Sequence, residues 1–323
     1  MRGGWRIAAV AVLGAVAVAP GARAEDGKPT AHAAPVVLAR FSTTYANDTE
    51  HKARASNVEL GAQAINGKVI AAGATFSFND AVGERTAAFG YAKSIVLRDG
   101  MIAEGMGGGA CQVASTLHAA ALLAGLDVVA RAPHSRPSAY IRMGLDATVA
   151  LSSGAPAIDL KVKNPTLGSL TIHARAAHGT LEVLFDGLGA SHVDVSLTSE
   201  ILERATFSRV VERDKLAKED TVRVKAFGIP GYRVRRTREI RGADGSVKRD
   251  VRVDVYPPTN EIVQVAPSLD ESRIRVRAVQ ADEESPEETS AKPAAVVIDP
   301  SAARPLLVQL RPSTRVVLDN ASK

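Results

Sequence analysis

The chain has 323 residues, 46% of them hydrophobic and only one a cysteine, with 40 Lys and Arg against 35 Asp and Glu. A single cysteine excludes an internal disulfide, so the fold must rest on burial. The formal net charge of +5 is too modest to make a case for nucleic-acid binding, and the length suits roughly two domains.

The first 24 residues read as an export signal. Arg2 and Arg6 supply a short basic start, residues 7–19 are apolar, and Ala22-Arg23-Ala24 fits a small-x-small processing site. An apolar run of about 13 residues falls short of the roughly 20 that span a bilayer. No later segment reads as a stable transmembrane span, so export to the periplasm or the exterior, within the cell envelope, is expected, with an uncleaved anchor as the weaker alternative. Residues 25–37 form a linker, their small and polar residues interrupted by prolines.

Residues 36–43 predict a strand leading into a polar loop. Residues 52–64 carry a helical pattern, with Val58, Gly61, Ala62 and Ile65 at the apolar spacing and Asn66-Gly67 as the stop. Short strands follow at 69–70, 75–78 and 94–97, with a turn-rich stretch over 79–90 and a turn at Asp99-Gly100. The run Gly107-Gly108-Gly109-Ala110-Cys111-Gln112 then enters a stretch of helix formers that Gly125 terminates. Strands at 127–130 and 138–141 flank the loop Ala132-Pro133-His134-Ser135-Arg136-Pro137, and Asp146 precedes another at 147–150. Three more, at 158–162, 170–174 and 181–185, complete a strand-rich half. This order predicts an α+β domain over residues 38–189, with the cysteine-bearing helix packed on an antiparallel sheet.

Residues 193–267 predict a small antiparallel β module. Val222 and Val224 alternate with Arg223 and Lys225. Val251, Val253 and Val255 likewise alternate with Asp250, Arg252 and Asp254. One face reads as apolar and the other as a charged, solvated face, and Ala243-Asp244-Gly245 marks a hairpin turn. Residues 281–323, acidic and rich in Pro, Ser and Ala, predict a largely disordered tail.

Cys111 is the natural centre of any chemistry. A thiol at a helix start faces unpaired backbone N–H groups and the positive end of the dipole, which favour the thiolate. The same position suits an inert, buried small residue. A nucleophile needs a base within hydrogen-bond reach and a third group to orient that base. His118 lies on the same helix, roughly 10 Å along its axis, and is not the partner. His173 and His178 have no special local setting and read as strand or turn residues near the surface. His134 sits in a loop pinned by Pro133 and Pro137, where a positioned imidazole is expected. Asp146 follows at the mouth of the next strand and is the candidate orienter.

Gly108, Gly109 and Gln112 are candidate oxyanion donors, since glycines let backbone N–H groups point at a bound oxyanion. The glycine run also fits a tight turn with close packing. Arg136 is a candidate fork for a substrate carboxylate, or equally a surface arginine. No metal signature or phosphate-binding loop is present, and no cofactor is expected.

These segments have a family resemblance. The stretch Gly107-Gly108-Gly109-Ala110-Cys111-Gln112-Val113-Ala114-Ser115-Thr116-Leu117 is similar to the core of VanW-family proteins. So are Pro133-His134-Ser135-Arg136-Pro137 and Gly144-Leu145-Asp146-Ala147-Thr148-Val149. Gly73-Ala74-Thr75-Phe76-Ser77-Phe78-Asn79, Val82-Gly83-Glu84-Arg85-Thr86 and Asp159-Leu160-Lys161-Val162-Lys163-Asn164 fit the same pattern, and the likeness covers roughly residues 40–187. One departure is Ala72-Gly73, where the family usually has Pro-Gly, and it touches a turn outside the candidate site.

The resemblance implies a bacterial cell-envelope protein of a family named for an accessory member of a vancomycin-resistance cluster. The second unit, through Gly228-Ile229-Pro230-Gly231 and Tyr256-Pro257-Pro258, loosely resembles small wall-associated β modules. Two expectations follow. In one, Cys111, His134 and Asp146 carry acyl transfer or hydrolysis on a peptidoglycan peptide or similar envelope polymer. In the other, the protein is a non-catalytic wall-binding or structural module in which Cys111 is a core residue.

Overall fold

A computed structural model of the chain describes residues 35–98, 101–151, 156–187, 193–218, 222–242 and 244–269, all within one compact unit. The export signal, most of the linker, the Asp99-Gly100 turn and the tail lie outside the described residues. Among the described residues, no helix is long and apolar enough to cross a membrane.

The first part runs β1 (Val36–Thr44), α1 (Lys52–Ile65), β2 (Val69–Ile70), β3 (Thr75–Ser77), α2 (Phe78–Val82), β4 (Lys93–Arg98), β5 (Met101–Met106), α3 (Ala110–Leu123), β6 (Asp127–Ala130), β7 (Lys161–Lys163), β8 (Leu170–Ala177) and β9 (Thr180–Gly187). Its main sheet has the order β1-β9-β8-β2, antiparallel throughout. Period-two burial along β8 and β9 turns Leu170, Ile172, Leu181, Val183 and Phe185 inward. α3 lies against β1 and β9, and α1 against β8. Together they close one apolar core with Val58, Ile65, Phe78, Val113 and Leu117. A smaller sheet, β3-β7-β6, and the hairpin β4-β5 complete this part.

α1 follows its apolar spacing, burying Val58, Gly61, Ala62 and Ile65. It stops where Asn66 leaves helical geometry and Gly67 takes φ +76°. α3 is a different kind of helix, rich in Ala and Leu around its circumference. Every residue of α3 except Cys111 is buried, as expected of a helix that is apolar all round.

Some short strands expected from sequence are absent. Residues 138–141 form a turn instead, with Ile141 buried in a second apolar cluster beside Leu122 and Leu145. Residues 147–150 contribute only isolated bridges, Thr148 to Ala132 and Ala150 to Ile158. Beyond Ser77 the chain enters α2, because the Ser77 hydroxyl caps it by accepting from the Asp80 N–H at 3.1 Å.

The second part holds β10 (Asp194–Ala205), β11 (Arg209–Arg213), β12 (Val222–Ala226), β13 (Gly231–Arg241), β14 (Val247–Tyr256) and β15 (Glu261–Val265). Its sheets have the orders β10-β13-β14 and β11-β15-β12. The expected all-antiparallel module needs one correction, because β11 and β15 run parallel.

A second correction concerns which face of β14 is buried. Val247, Val251, Val253 and Val255 are exposed, whereas Asp254 and Tyr256 are buried. Cross-strand register puts Val234, Arg236 and Arg238 of β13 on that same buried face. Helix termini and carboxylates of the first part reverse the usual preference. Arg238 donates to the carbonyls of Leu126 at 2.7 Å and Leu122 at 3.4 Å, at the C-terminal end of α3. Guanidiniums there meet the negative end of the helix dipole and carbonyls that lack helical partners.

Candidate active site

The thiol of Cys111 emerges at the second residue of α3, whose N-terminus has no side-chain cap. The N–H groups of Gly107, Ala110 and Gln112 are engaged by the carbonyls of Ala92, Gly107 and Gly109. Sγ lies 3.5 Å from both the N and the O of Val149. Ser115 ties the two segments together, donating to the Cys111 carbonyl at 2.7 Å and accepting from the Ala147 N–H at 2.8 Å.

The His134 loop is fastened to the Asp146 segment by the Thr148 N–H, which donates to the Ala132 carbonyl at 2.9 Å. Thr148 Oγ1 adds a bond to the Pro133 carbonyl at 3.0 Å. Asp146 Oδ2 then accepts from both the backbone N–H of His134 at 2.7 Å and its Nδ1 at 2.8 Å. With Nδ1 so engaged, Nε2 is the ring nitrogen that faces the Tyr140 hydroxyl, at 3.3 Å. The His134 and Tyr140 rings meet edge to face, with centroids 6.2 Å apart.

Asp146 is held from both parts of the fold. Oδ1 accepts from Arg131 Nη2 at 2.9 Å and from the Tyr256 hydroxyl at 2.6 Å. Arg131 Nε binds the Asp146 backbone carbonyl at 2.6 Å, and its other arm pairs with Asp254. All these groups are buried. Taking such charges out of water costs several kcal/mol per ion, and it is tolerated only when each is paired and hydrogen-bonded. Both oxygens of Asp146 are doubly bonded in this way, so its orientation is fixed.

The electrostatics follow from these contacts. Burial resists ionisation of Asp146, but His134, Arg131 and Tyr256 outweigh it and hold the carboxyl well below the usual range. Burial disfavours the His134 cation, yet hydrogen bonds to Asp146 and Cys111 and their charges push its pKa up to about 9. For Cys111, burial opposes the thiolate, while the hydrogen bond and charge of His134, the Val149 N–H and Arg85 win and lower the pKa. Both shifts favour the charged forms, the direction expected of a nucleophile beside its acid.

The structure pairs His134 with Asp146, and the hydrogen bond and charge of His134 act on Cys111. Gly108 and Gly109 precede them, but their lack of a side chain has a packing cause. A Cβ on Gly108 would lie 2.3 Å from Ser94 Oγ and 2.4 Å from the Ile95 carbonyl. One on Gly109, at φ +114°, would lie 2.8 Å from Val58 Cγ2. The Gln112 side chain is buried and committed, donating to Thr43 Oγ1 and the Thr44 carbonyl and accepting from Arg54 at 2.8 Å. Arg136 is half-buried, and burial is the sole influence on its pKa, so it is not drawn into the thiol's electrostatic field.

Several neighbours escaped the sequence reading. Arg54 and Arg85 both act on the Cys111 charge, and Tyr140 stands beside His134. The Tyr140 hydroxyl is kept protonated by burial first and by Cys111 second, which leaves it a donor at the site. Tyr256 and Asp254 come from a strand more than 100 residues further along the chain. The one local signal was Arg131, next to the Pro-pinned loop. His118 is buried with Nδ1 2.7 Å from the Leu145 carbonyl, and burial above all drives its pKa down to about 3, so it is neutral and structural. His178 occupies a left-handed turn position at φ 51°. Among the described residues, no group of His, Cys, Asp and Glu could hold a metal ion. Two cavities, of about 300 and 560 Å³, are lined by other residues than the triad.

Residues 53–185 match the family model described as VanW like protein. The chain is 38% identical over 156 residues to the uncharacterized protein YoaR of Bacillus subtilis (strain 168), an alignment covering 48% of this chain and 50% of that protein. It therefore spans about half the length of this curated relative. Among solved structures, the G5 domain of an IgA1 protease is similar at 22% identity, over 24% of this chain and 93% of that one, with a TM-score of 0.17. HP0197-G5 is similar at 15% identity over 24% of this chain and all of that one, with a TM-score of 0.14. Likenesses at these TM-scores carry no argument about function.

Proposed function

We propose that this chain, whose residues 53–185 form a VanW-like domain, is an exported cell-envelope protein acting on peptide amides by cysteine-dependent acyl transfer or hydrolysis. The substrate is a peptidoglycan peptide or a similar amide-bearing envelope polymer. One observation carries the reading above all. α3 is buried along its whole length except at Cys111, and the thiol there feels the hydrogen bond and charge of His134, an imidazole that Asp146 holds at 2.8 Å. A core cysteine serving only to fill space would need neither the opening nor the base.

In the proposed reaction the Cys111 thiolate attacks the amide carbonyl, forming a C–S bond as the carbonyl π pair moves onto oxygen. Collapse of the tetrahedral intermediate breaks the C–N bond, and the His134 imidazolium gives its proton to the departing amine. Water or a second amine then attacks the thioester, His134 takes its proton, and the thiolate leaves. Asp146 stays ionised throughout and holds Nδ1–H, fixing which ring nitrogen faces the sulfur. The Tyr140 hydroxyl is the donor at hand for the oxyanion.

The test is to incubate the full chain with purified muropeptides and follow products and Cys111 adducts by mass spectrometry. The reading expects products, or a thioester on Cys111, that disappear in Cys111→Ser. Full muropeptide binding by both proteins, with no product and no adduct, would instead point to a non-catalytic wall-binding module.

A further inference from the structure

We propose that Arg54 and Arg85 form a clamp for a free carboxylate on the substrate, placed beside the bond that Cys111 attacks. This rests on the nucleophilic reading of Cys111 and specifies what it would act on.

Both arginines are rooted against the glycine loop that leads into Cys111. A Cβ on Gly107 would lie 2.7 Å from Arg85 Cβ, and one on Gly109 would lie 3.3 Å from the Arg54 carbonyl. Arg54 reaches over Tyr140, its guanidinium carbon 5.9 Å from the ring centroid, and donates to Gln112, the residue after the nucleophile. Arg85 lies over Phe78 at 5.7 Å and donates to Asn79 Oδ1, while its buried Nε has no hydrogen-bond partner.

What sets the two apart is the absence of an acid. Arg131, Arg236 and Arg238, the buried cations elsewhere among the described residues, are paired with Asp146, Asp254 or Asp250. Among the described residues neither Arg54 nor Arg85 makes an ion pair. Asp159, which acts on Arg85 from a distance, is itself spent on Ser77 Oγ at 2.6 Å and the Asn79 N–H at 2.9 Å. Asp146 is likewise consumed by its own partners. Two half-buried guanidiniums without a paired acid thus stand beside the glycine loop that leads into Cys111, positive charge that an incoming carboxylate would balance. Guanidinium forks suit that anion because they present paired donors in a plane. The carboxylate belongs either to the peptide's C-terminus or to an acidic side chain next to the scissile amide.

The experiment compares alkylation of Cys111 in the full chain by iodoacetate, which carries a carboxylate, with that by neutral iodoacetamide, each normalised to glutathione. The clamp predicts a normalised ratio raised about tenfold, the effect of one charge-assisted hydrogen bond. The ratio falls toward one in Arg54→Gln and Arg85→Gln and is partly kept in Arg85→Lys, which also guards against a misfolded variant. Protection by N-acetyl-alanyl-alanine marks a C-terminal carboxylate, and protection by N-acetyl-glutamyl-alaninamide marks a side-chain one. A ratio of one in the unmodified protein overturns the clamp while leaving the nucleophile intact. If neither reagent reacts, it is the nucleophile that fails. Calorimetry of N-acetyl-alanyl-alanine against its C-terminal amide then decides the clamp, equal or absent heats overturning it.

Discussion

The hydroxyl of Tyr256, near the end of the module that follows the VanW-like domain, donates to Asp146 Oδ1 at 2.6 Å. It also accepts from the Gly144 N–H at 2.7 Å. A residue 110 positions away thus holds the carboxylate that orients His134, and Arg131 reinforces the link by bridging Asp146 and Asp254. The module is a structural partner of the candidate site, so the charged face of β13 and β14 is turned inward.

Tyr256→Phe leaves the Gly144 N–H without its acceptor and removes one of four bonds to Asp146. Denaturant unfolding should show a loss of about 1–3 kcal/mol, the cost of leaving a buried polar group unpaired. Cys111 alkylation should slow only slightly, since Arg131 and His134 still hold the carboxylate. Asp146→Asn removes the charge itself. The His134 pKa then drops, the thiol pKa rises, and alkylation at neutral pH slows by about tenfold or more, each pKa unit being a tenfold change in thiolate. Near-equal alkylation rates in Asp146→Asn and the unmodified protein would show that the carboxylate does not tune the thiol.

The pH dependence of stability has a distinctive sign. The His134 pKa, raised to about 9 from 6.5, contributes stability that is full below 6.5 and lost as pH rises through 9. The lowered thiol pKa of Cys111 contributes stability present above its ordinary value and lost as pH falls through the folded one. Where thiolate and imidazolium coexist, the folded pair binds as many protons as a neutral thiol and imidazole in the unfolded chain, so the two slopes cancel. Cys111→Ser removes the thiolate together with its share of the His134 shift, leaving what the Asp146 bond and charge supply. Its unfolding free energy should fall with pH above 6.5, by less than about 1.4 kcal/mol per unit, relative to the unmodified protein. Parallel curves for the two proteins would rule out the ion pair.

Gly108→Ala tests the origin of the glycine loop. Its Cβ would meet Ser94 Oγ at 2.3 Å and a backbone carbonyl at 2.4 Å, and the carbonyl cannot rotate away. A loss of about 1–3 kcal/mol in unfolding free energy is expected from overpacking. Gly245→Ala, at φ +79° in open space between β13 and β14, is strained without a clash and should cost less. Equal costs at the two positions would mean that packing against β4 does not dictate the loop.

Much of the VanW-like part was legible from local chemistry. The apolar spacing of Val58, Ala62 and Ile65 marked α1, Gly125 marked the end of α3, and Pro133 and Pro137 framed His134. What escaped depends on contacts between distant segments. Arg54 sits in a helix with nothing in its neighbourhood to suggest a thiol 57 positions away. The valines of β14 alternate as a buried face should, yet Asp254 and Tyr256 are the buried side, because Arg131 and Asp146 require polar partners there. Period two separates the faces of a strand but does not say which one packs when the neighbouring surface is charged.

The central claim is that Cys111 is a nucleophile poised by His134, and the pH profile of its alkylation by iodoacetamide tests it most directly. The account predicts rapid reaction that persists below pH 7, well under the ordinary thiol pKa of about 8.5, and that loses this acidic reach in His134→Asn. A single rise centred near 8.5 and unchanged in His134→Asn, or no reaction in the folded protein, would contradict it.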